Sequence, residues 1–218
     1  MKSKVNDHFN KIAGEYDHYK NMNGFYYQNL KKLLKKLVPK TKSVLEFGCG
    51  TGDLIAFLNP KKAAGFDPSA EMIKIAKTKH KKVKFDYRLS FFSKQKYDYI
   101  FMSDVIEHLE YPEKEFKTIK NLMSKKGKLL VTMANPILEP ILMIAENLKL
   151  KMPEGPHKRI TFKEIELILN KIGMKVTKHN YKLLMPIKIL LITKFMNKYL
   201  EKYFKKLCFI EYFEVTKI

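Results

Sequence analysis

Val44-Leu45-Glu46-Phe47-Gly48-Cys49-Gly50-Thr51-Gly52-Asp53 is the stretch that decides how this chain is read. Residues 44–47 have the apolar, β-prone character of a buried strand, and they run straight into glycines at alternate positions. Residues 54–58 then begin a short apolar helical pattern. A strand that turns sharply into a helix needs residues without Cβ clashes, and glycine supplies both the unusual dihedrals and close backbone approach. The helix beyond the turn directs its free N–H groups and the positive end of its dipole at whatever sits there. Such a turn makes a crevice for a nucleotide-like ligand at the carboxyl end of a strand.

The spacing narrows the ligand. Dinucleotide folds use G-x-G-x-x-G, whereas this turn is G-x-G-x-G with Glu46 two residues ahead of it. Asp67 closes the next apolar run, 63–66, about twenty residues on, where a ribose-binding carboxylate is expected. VLEFGCGTGD followed by GFDPSAEMI resembles the first two motifs of class I S-adenosylmethionine-dependent methyltransferases. The resemblance implies S-adenosyl-L-methionine as cofactor. It implies that Glu46 steadies the glycine turn and the ligand's amino-acid end, and that Gly48, Cys49, Gly50 and Gly52 form the turn. Asp67 would accept hydrogen bonds from the ribose hydroxyls, with Pro68 beside it. FNKIAGEYDHY resembles the leading helix of many small-molecule members, a lid over the cofactor with Tyr16 nearest the ligand. Without the resemblance, the same segment reads as an amphipathic helix packed on a sheet.

Residues 5–20 and 24–38 carry helical apolar spacing, the latter through Leu30, Leu33, Leu34 and Leu37. Strands are expected at 43–47, 62–67, 82–87, 97–104 and 128–134, with helices at 53–58, 69–77 and 112–123 between them. Ser69 reads as an N-cap. Strand–helix alternation implies a parallel sheet with right-handed crossovers. Thr161-Phe162-Lys163-Glu164 is a capping box that starts a helix over 161–171, which Gly173 ends. Strands at 174–180 and 208–215 flank a basic helical stretch near 187–205. The resemblance implies the rest of the fold: an α/β Rossmann-like three-layer sandwich, its seven-stranded sheet mostly parallel with the last strand antiparallel. One methyltransferase domain over 1–218 is expected, with N-terminal lid helices (about 1–40) and an apolar insertion (about 136–160).

The fourth strand ends at Ser103-Asp104, followed by Val105-Ile106-Glu107-His108-Leu109. In the family this region faces the methyl donor and acceptor, with Ser103 bordering the adenine. Residues 104, 107 and 108 are expected on about one helical turn, where three polar side chains converge. His108 as general base, a divalent metal held by the three, and a purely bracing role are all open. The strand lacks the N-P-P-Y or D-P-P-Y of amino-group methylases of DNA, and no Pro-Cys nucleophile is present. For the adenine, Tyr87-Arg88-Leu89-Ser90 replaces the usual acid, leaving backbone groups or Asp86 as alternatives.

After Asn135-Pro136, residues 137–150 are too apolar for a solvated loop, and Pro153-Glu154-Gly155-Pro156-His157 follows. An apolar helix before P-x-G-x-H resembles the ubiquinone-biosynthesis O-methyltransferase branch, where the inserted helix meets the membrane. A pocket cover packed on the core is the alternative, and His157 is a second candidate base. The lysines after 187 suit peripheral contact with anionic headgroups.

The formal charge of +21 on 218 residues points toward anionic partners, yet Arg88 and Arg159 are the only arginines. Arginine suits bidentate phosphate and guanine recognition, so its scarcity argues against nucleic acid. Two cysteines, Cys49 and Cys208, make no disulfide framework. The N-terminal stretch lacks the apolar core of a signal peptide, so a cytoplasmic protein is expected, peripheral to a membrane where the basic stretch engages one. The function expected is methyl transfer to a hydroxyl of a small phenolic, quinone-like or lipid-like acceptor. RNA methylation, or a non-catalytic cofactor- or RNA-binding module, is the alternative.

Overall fold

The computed structural model describes residues 4–148, 150, 152–153 and 155–218, so that Glu154 of the P-x-G-x-H stretch and Lys149 of the apolar insertion lie outside the described residues. Three helices come first: α1 (Lys4–Ile12), α2 (Tyr16–Met22) and α3 (Gly24–Leu37). The sheet then builds through β1 (Ser43–Phe47), α4 (Asp53–Leu58), β2 (Lys62–Phe66), α5 (Ala70–Lys79), β3 (Lys84–Asp86), β4 (Tyr97–Ser103), α6 (Pro112–Leu122) and β5 (Met123–Ala134). It is completed by α7 (Glu139–Asn147), α8 (Phe162–Lys171), β6 (Met174–Lys182), α9 (Leu190–Phe195) and β7 (Ile210–Lys217).

The seven strands lie in the order β3-β2-β1-β4-β5-β7-β6. β1 to β5 are parallel to their neighbours, and β7 runs antiparallel to both β5 and β6. This is the expected mostly parallel sheet with an antiparallel last strand. The chain reverses its winding between β1 and β4, and a crevice opens outside the carboxyl ends of strands at such a switch point.

Strand alternation divides the apolar core into two layers. On one face Leu45, Ile100, Met102, Leu129 and Phe213 pack with Phe116, Ile119, Ile165 and Leu169 of α6 and α8. On the other, Val44, Tyr99, Phe101, Leu130 and Tyr212 pack with Leu30, Leu34, Ile55 and Ile73 of α3, α4 and α5. A sheet with helices on both faces is the three-layer sandwich expected.

Local chemistry sets the boundaries. Ser69 Oγ accepts from Met72 N and caps α5. Thr161 Oγ1 accepts from Glu164 N while the Glu164 carboxylate accepts from Thr161 N, so the capping box forms as expected. Two expectations need correction. The single helix over 5–20 is two helices, because the chain turns at Ala13-Gly14-Glu15. β5 begins at Met123, earlier than expected, since its register against β4 slips between Tyr97 and Tyr99 and takes up the extra residues. Gly127 permits that slip: a Cβ there would lie 2.9 Å from both Ser124 N and Tyr97 O.

Candidate functional site

The glycine turn leaves β1 with Gly48, Gly50 and Gly52 all at positive φ (78°, 50° and 81°). A Cβ at Gly48 would come within 2.5 Å of Val105, and one at Gly52 within 2.5 Å of the Phe85 ring. Glu46, 2% exposed, sits behind the turn and accepts from Ile55 N at 3.0 Å, holding the start of α4. Burial pushes its carboxyl up to about 8, against the pull of Lys20 and the Ile55 N–H. Cys49 is buried behind the same turn, and burial pushes its thiol well above the ordinary value. Glu46, Cys49 and Gly52 therefore shape the turn from beneath.

Asp67, just beyond β2, faces the turn from the other side. Its Oδ2 accepts from Gly50 N at 2.8 Å and its Oδ1 from Ser69 N at 2.9 Å. Burial pushes its carboxyl up to about 6, and the two backbone donors hold it from rising further. A carboxylate has about four acceptor positions, so the two backbone bonds leave capacity for further donors.

These groups open into a cleft of about 450 Å³ whose wall includes Tyr16, Gly48, Gly50, Asp67, Pro68, Ser103, Asp104 and His108. The cleft thus gathers most of the candidate binding residues with one of the two candidate bases. Ser103 Oγ and Thr132 Oγ1, at the ends of β4 and β5, are buried without a hydrogen-bond partner among the described residues.

Asp104 adopts φ +54°, a left-handed backbone that costs an aspartate roughly 1 kcal/mol. Asp104 N donates to Thr132 O, which holds the backbone there. The side chain accepts from Tyr26 Oη at 3.0 and 3.1 Å. Burial, then the Asp104 charge, pushes the Tyr26 phenol well above its ordinary value, so it remains a donor. Tyr26 was not anticipated from the sequence: it lies in the first turn of α3, and its partner is distant in the chain.

The expected helical turn over Asp104, Glu107 and His108 is instead the left-handed Asp104 followed by a 3₁₀ turn, Ile106–His108. Among the described residues no group of three His, Cys, Asp or Glu side chains is placed to hold a metal ion. His108 stacks edge-on to Phe9 with ring centroids 5.1 Å apart, and its Nδ1 lies 3.2 Å from Pro156 O. A carbonyl only accepts, so Nδ1 carries the hydrogen and the neutral ring has its lone pair on Nε2.

His157 stands outside the main cleft, its ring centroid 6.4 Å from that of His108. Its Nδ1 meets Gly155 O and its Nε2 meets Glu139 Oε1, both at 3.1 Å. Both partners are acceptors, so the ring makes both bonds only when doubly protonated. It lines a small recess with Glu107, Glu139 and Arg159. Asp86 receives the backbone N–H and guanidinium of Arg88, and neither residue lines the cleft.

The N-terminal helices cross the cleft. On α1, Asn10 Oδ1 accepts from Ser69 Oγ at 2.7 Å and His8 Nε2 lies 3.0 Å from Pro153 O. On α2, Asp17 accepts from Thr51 Oγ1 at 2.6 Å and pairs with Lys79. Lys20 pairs with Asp53 at 3.5 Å. Tyr16 lies over the turn, 3.0 Å from where a Gly50 Cβ would sit. Burial, then nearby Tyr27 and Asp67, pushes its phenol well above the ordinary value.

A family model described as a methyltransferase domain matches residues 16–179. The uncharacterized protein MJ1123 of Methanocaldococcus jannaschii is 32% identical over 124 residues, 56% of this chain. That match spans 59% of the relative's own length, short of two thirds. Among solved structures, a SAM-dependent methyltransferase from Thermotoga maritima superposes with TM-score 0.71 at 17% identity, covering 96% of this chain and 98% of that one. The magnesium protoporphyrin IX methyltransferase of Synechocystis PCC 6803 with bound SAH gives TM-score 0.58 at 16% identity, covering 92% and 84%. At these identities the structural likeness is one of fold.

Proposed function

Since this chain belongs to the methyltransferase domain family, we propose that, as an S-adenosylmethionine-dependent methyltransferase, it methylates a hydroxyl of a small phenolic, quinone-like or lipid-like acceptor. The observation that carries this reading is the placement of His108. It shares one cleft with the glycine turn and Asp67, and its Nδ1 is committed to the Pro156 carbonyl.

The residues present fit the cofactor. The turn is a cradle that side chains at Gly48 or Gly50 would fill, Asp67 retains acceptor capacity, and Ser103 Oγ lacks a partner among the described residues. In this reading Asp67 holds the ribose hydroxyls, the backbone of the turn meets the amino-acid end, and Tyr16 covers it. S-adenosylmethionine supplies an electrophilic methyl group on a sulfonium centre. His108 Nε2 would take the acceptor's hydroxyl proton, leaving an oxygen able to receive the methyl group as its bond to the sulfonium sulfur breaks. Holding the acceptor oxygen in line is the larger contribution, because orientation removes most of the entropic barrier. The helices α1 and α2 act as the lid that keeps water out, which favours a reaction that loses the sulfonium charge.

Within that family we propose kinship with the ubiquinone-type O-methyltransferase branch. Its support is α7, which follows β5 at the carboxyl edge of the sheet, lines the His157 recess through Glu139 and exposes Ile141, Met143 and Ile144. We assign α7 and the loop after it as the cover of the acceptor pocket, within a single methyltransferase domain.

Replacing His108 tests the base. His108→Ala should lower turnover by roughly two to four orders of magnitude, with cofactor affinity by calorimetry unchanged. Wild-type turnover in the folded variant would remove His108 from the mechanism.

A further inference from the structure

The segment after β6 is an amphipathic helix turned inside out. From α9 the helix continues through Met196–Leu200 as a π turn. Three polar residues that it turns inward bind backbone, beside half-buried Met196 and Leu200. Thr193, 3% exposed, accepts from Ile189 N and donates to Ile187 O. Asn197 exchanges two hydrogen bonds with the backbone of Met185, and Glu201 receives Leu183 N and the Lys182 ammonium. These positions repeat every four residues along one face.

The opposite face holds Leu191, Phe195, Tyr199 and Tyr203, at the same four-residue spacing, exposed by 80%, 54%, 49% and 71%. Ile187, Ile192, Phe204 and Leu207 extend the exposure. A helix packed on a protein core presents the reverse arrangement. Contiguous exposed apolar surface of this kind marks an interaction site.

The surrounding charge selects the partner. Lys188, Lys194, Lys198, Lys202, Lys205 and Lys206 border this face, and Glu201, the one acid between 187 and 207, is turned inward. Lys198 and Lys202 lie 4.9 and 4.7 Å from the ring centroids of Tyr199 and Tyr203, placing ammonium groups at the rim of the apolar stripe. An apolar stripe of aliphatic and aromatic residues with lysines around it suits the boundary between acyl chains and headgroups. Nucleic acid would favour arginine, which is absent between 187 and 207, and would leave Ile187, Leu191, Ile192 and Leu207 without an apolar partner.

We infer that the outer face of residues 187–207 docks on an anionic lipid bilayer, its apolar stripe seated among the acyl chains and its lysines among the headgroups. Among the described residues no helix is long and apolar enough to cross a membrane, so the contact is interfacial. The turn Pro136–Leu138, at the root of α7, packs beside Lys205–Leu207, and Asn135 Nδ2 donates to Lys206 O and Cys208 O. Docking would therefore bring α7 close to the lipid. The inference stands without the methyl-transfer chemistry, because none of its residues belongs to the cleft.

Vesicle co-sedimentation tests it, with phosphatidylglycerol–phosphatidylcholine vesicles beside pure phosphatidylcholine. The wild-type protein should pellet with the anionic vesicles and keep part of its binding at high salt, since buried apolar residues are not screened. Leu191→Asp with Phe195→Asp should weaken partitioning by at least roughly ten-fold, with an unchanged melting temperature and cofactor affinity. Lys194→Gln, Lys198→Gln and Lys202→Gln together should erase the preference for anionic over neutral lipid. His108→Ala should bind vesicles as the wild type does, which separates a failure here from a failure of the proposed activity. Wild-type protein left in the supernatant would overturn the inference. So would apolar variants that still pellet, or a face whose substitution only dissolves a dimer or abolishes RNA binding.

Discussion

Asp67 faces the glycine turn as a buried acceptor, and its proposed partner is the ribose of the cofactor. A lone structural acid would be expected to end up neutralised by a cation, but this one is buried against two backbone N–H groups and sits at about 6. Accepting from ribose hydroxyls is strongest when it is ionised, so cofactor affinity should be full above pH 6. Below it, affinity should fall by up to about ten-fold per pH unit. Calorimetry across that range checks the sign, and affinity that rose on acidification would contradict it. Asp67→Ala removes charge-assisted hydrogen bonds, a loss of roughly 1.5–3 kcal/mol or about ten- to a hundred-fold in affinity. Equal affinity in a folded variant would defeat the ribose role. The place of Asp67 beside the turn was legible in the sequence because it follows directly on the apolar run of β2. Tyr26 was not, because its bond to Asp104 exists only once α3 has folded across the sheet.

At the scale of elements, legibility followed local determinants. The bounds of β1 and α4 and the capping box of α8 were readable because glycines, caps and strand alternation act within a few residues. Thr161→Ala should cost about 1 kcal/mol through the lost cap, seen as a lowered melting temperature with cofactor affinity intact. What failed depended on distant partners or on special dihedrals. The turn after Asp104 was expected to be helical, but its left-handed backbone is held by Thr132 across the sheet. The break at Gly14 lets α1 and α2 reach different walls of the cleft, one through Asn10 and Ser69, the other through Asp17 and Thr51. As the proposed lid, this pair should release cofactor faster when a strap is cut. Asn10→Ala, losing about 1 kcal/mol of hydrogen bonding, should speed dissociation by roughly five-fold in stopped-flow. An unchanged rate would make α1 a passive brace. Gly50→Val should abolish binding, since its φ is +50° and its side chain would meet Tyr16.

For the whole molecule, the sheet order places the glycine turn, Asp67, Asp104 and His108 at the carboxyl ends of neighbouring strands, so one topological switch point assembles the site. Charge was the least informative feature in the sequence. Lysines near 187–207 were visible there, but the exposed apolar stripe between them was not, because helical spacing alone does not say which side faces the core. The proposed acceptor cover belongs to this scale too, since α7 and His157 follow β5 in the chain and meet through the bond between His157 and Glu139. Ile141→Asp on exposed α7 should raise the acceptor KM several-fold while leaving cofactor affinity unchanged; equal effects on both would mean that α7 supports the fold and not the acceptor. The proposed methyl transfer is tested by incubating the protein with a cell extract and methyl-labelled S-adenosylmethionine, then measuring where the label goes. Methylation of a small-molecule hydroxyl predicts label in solvent-extractable small molecules carrying a new O-methyl group, and its loss with His108→Ala. Label recovered in RNA, or none transferred by a protein that binds the cofactor, would contradict it.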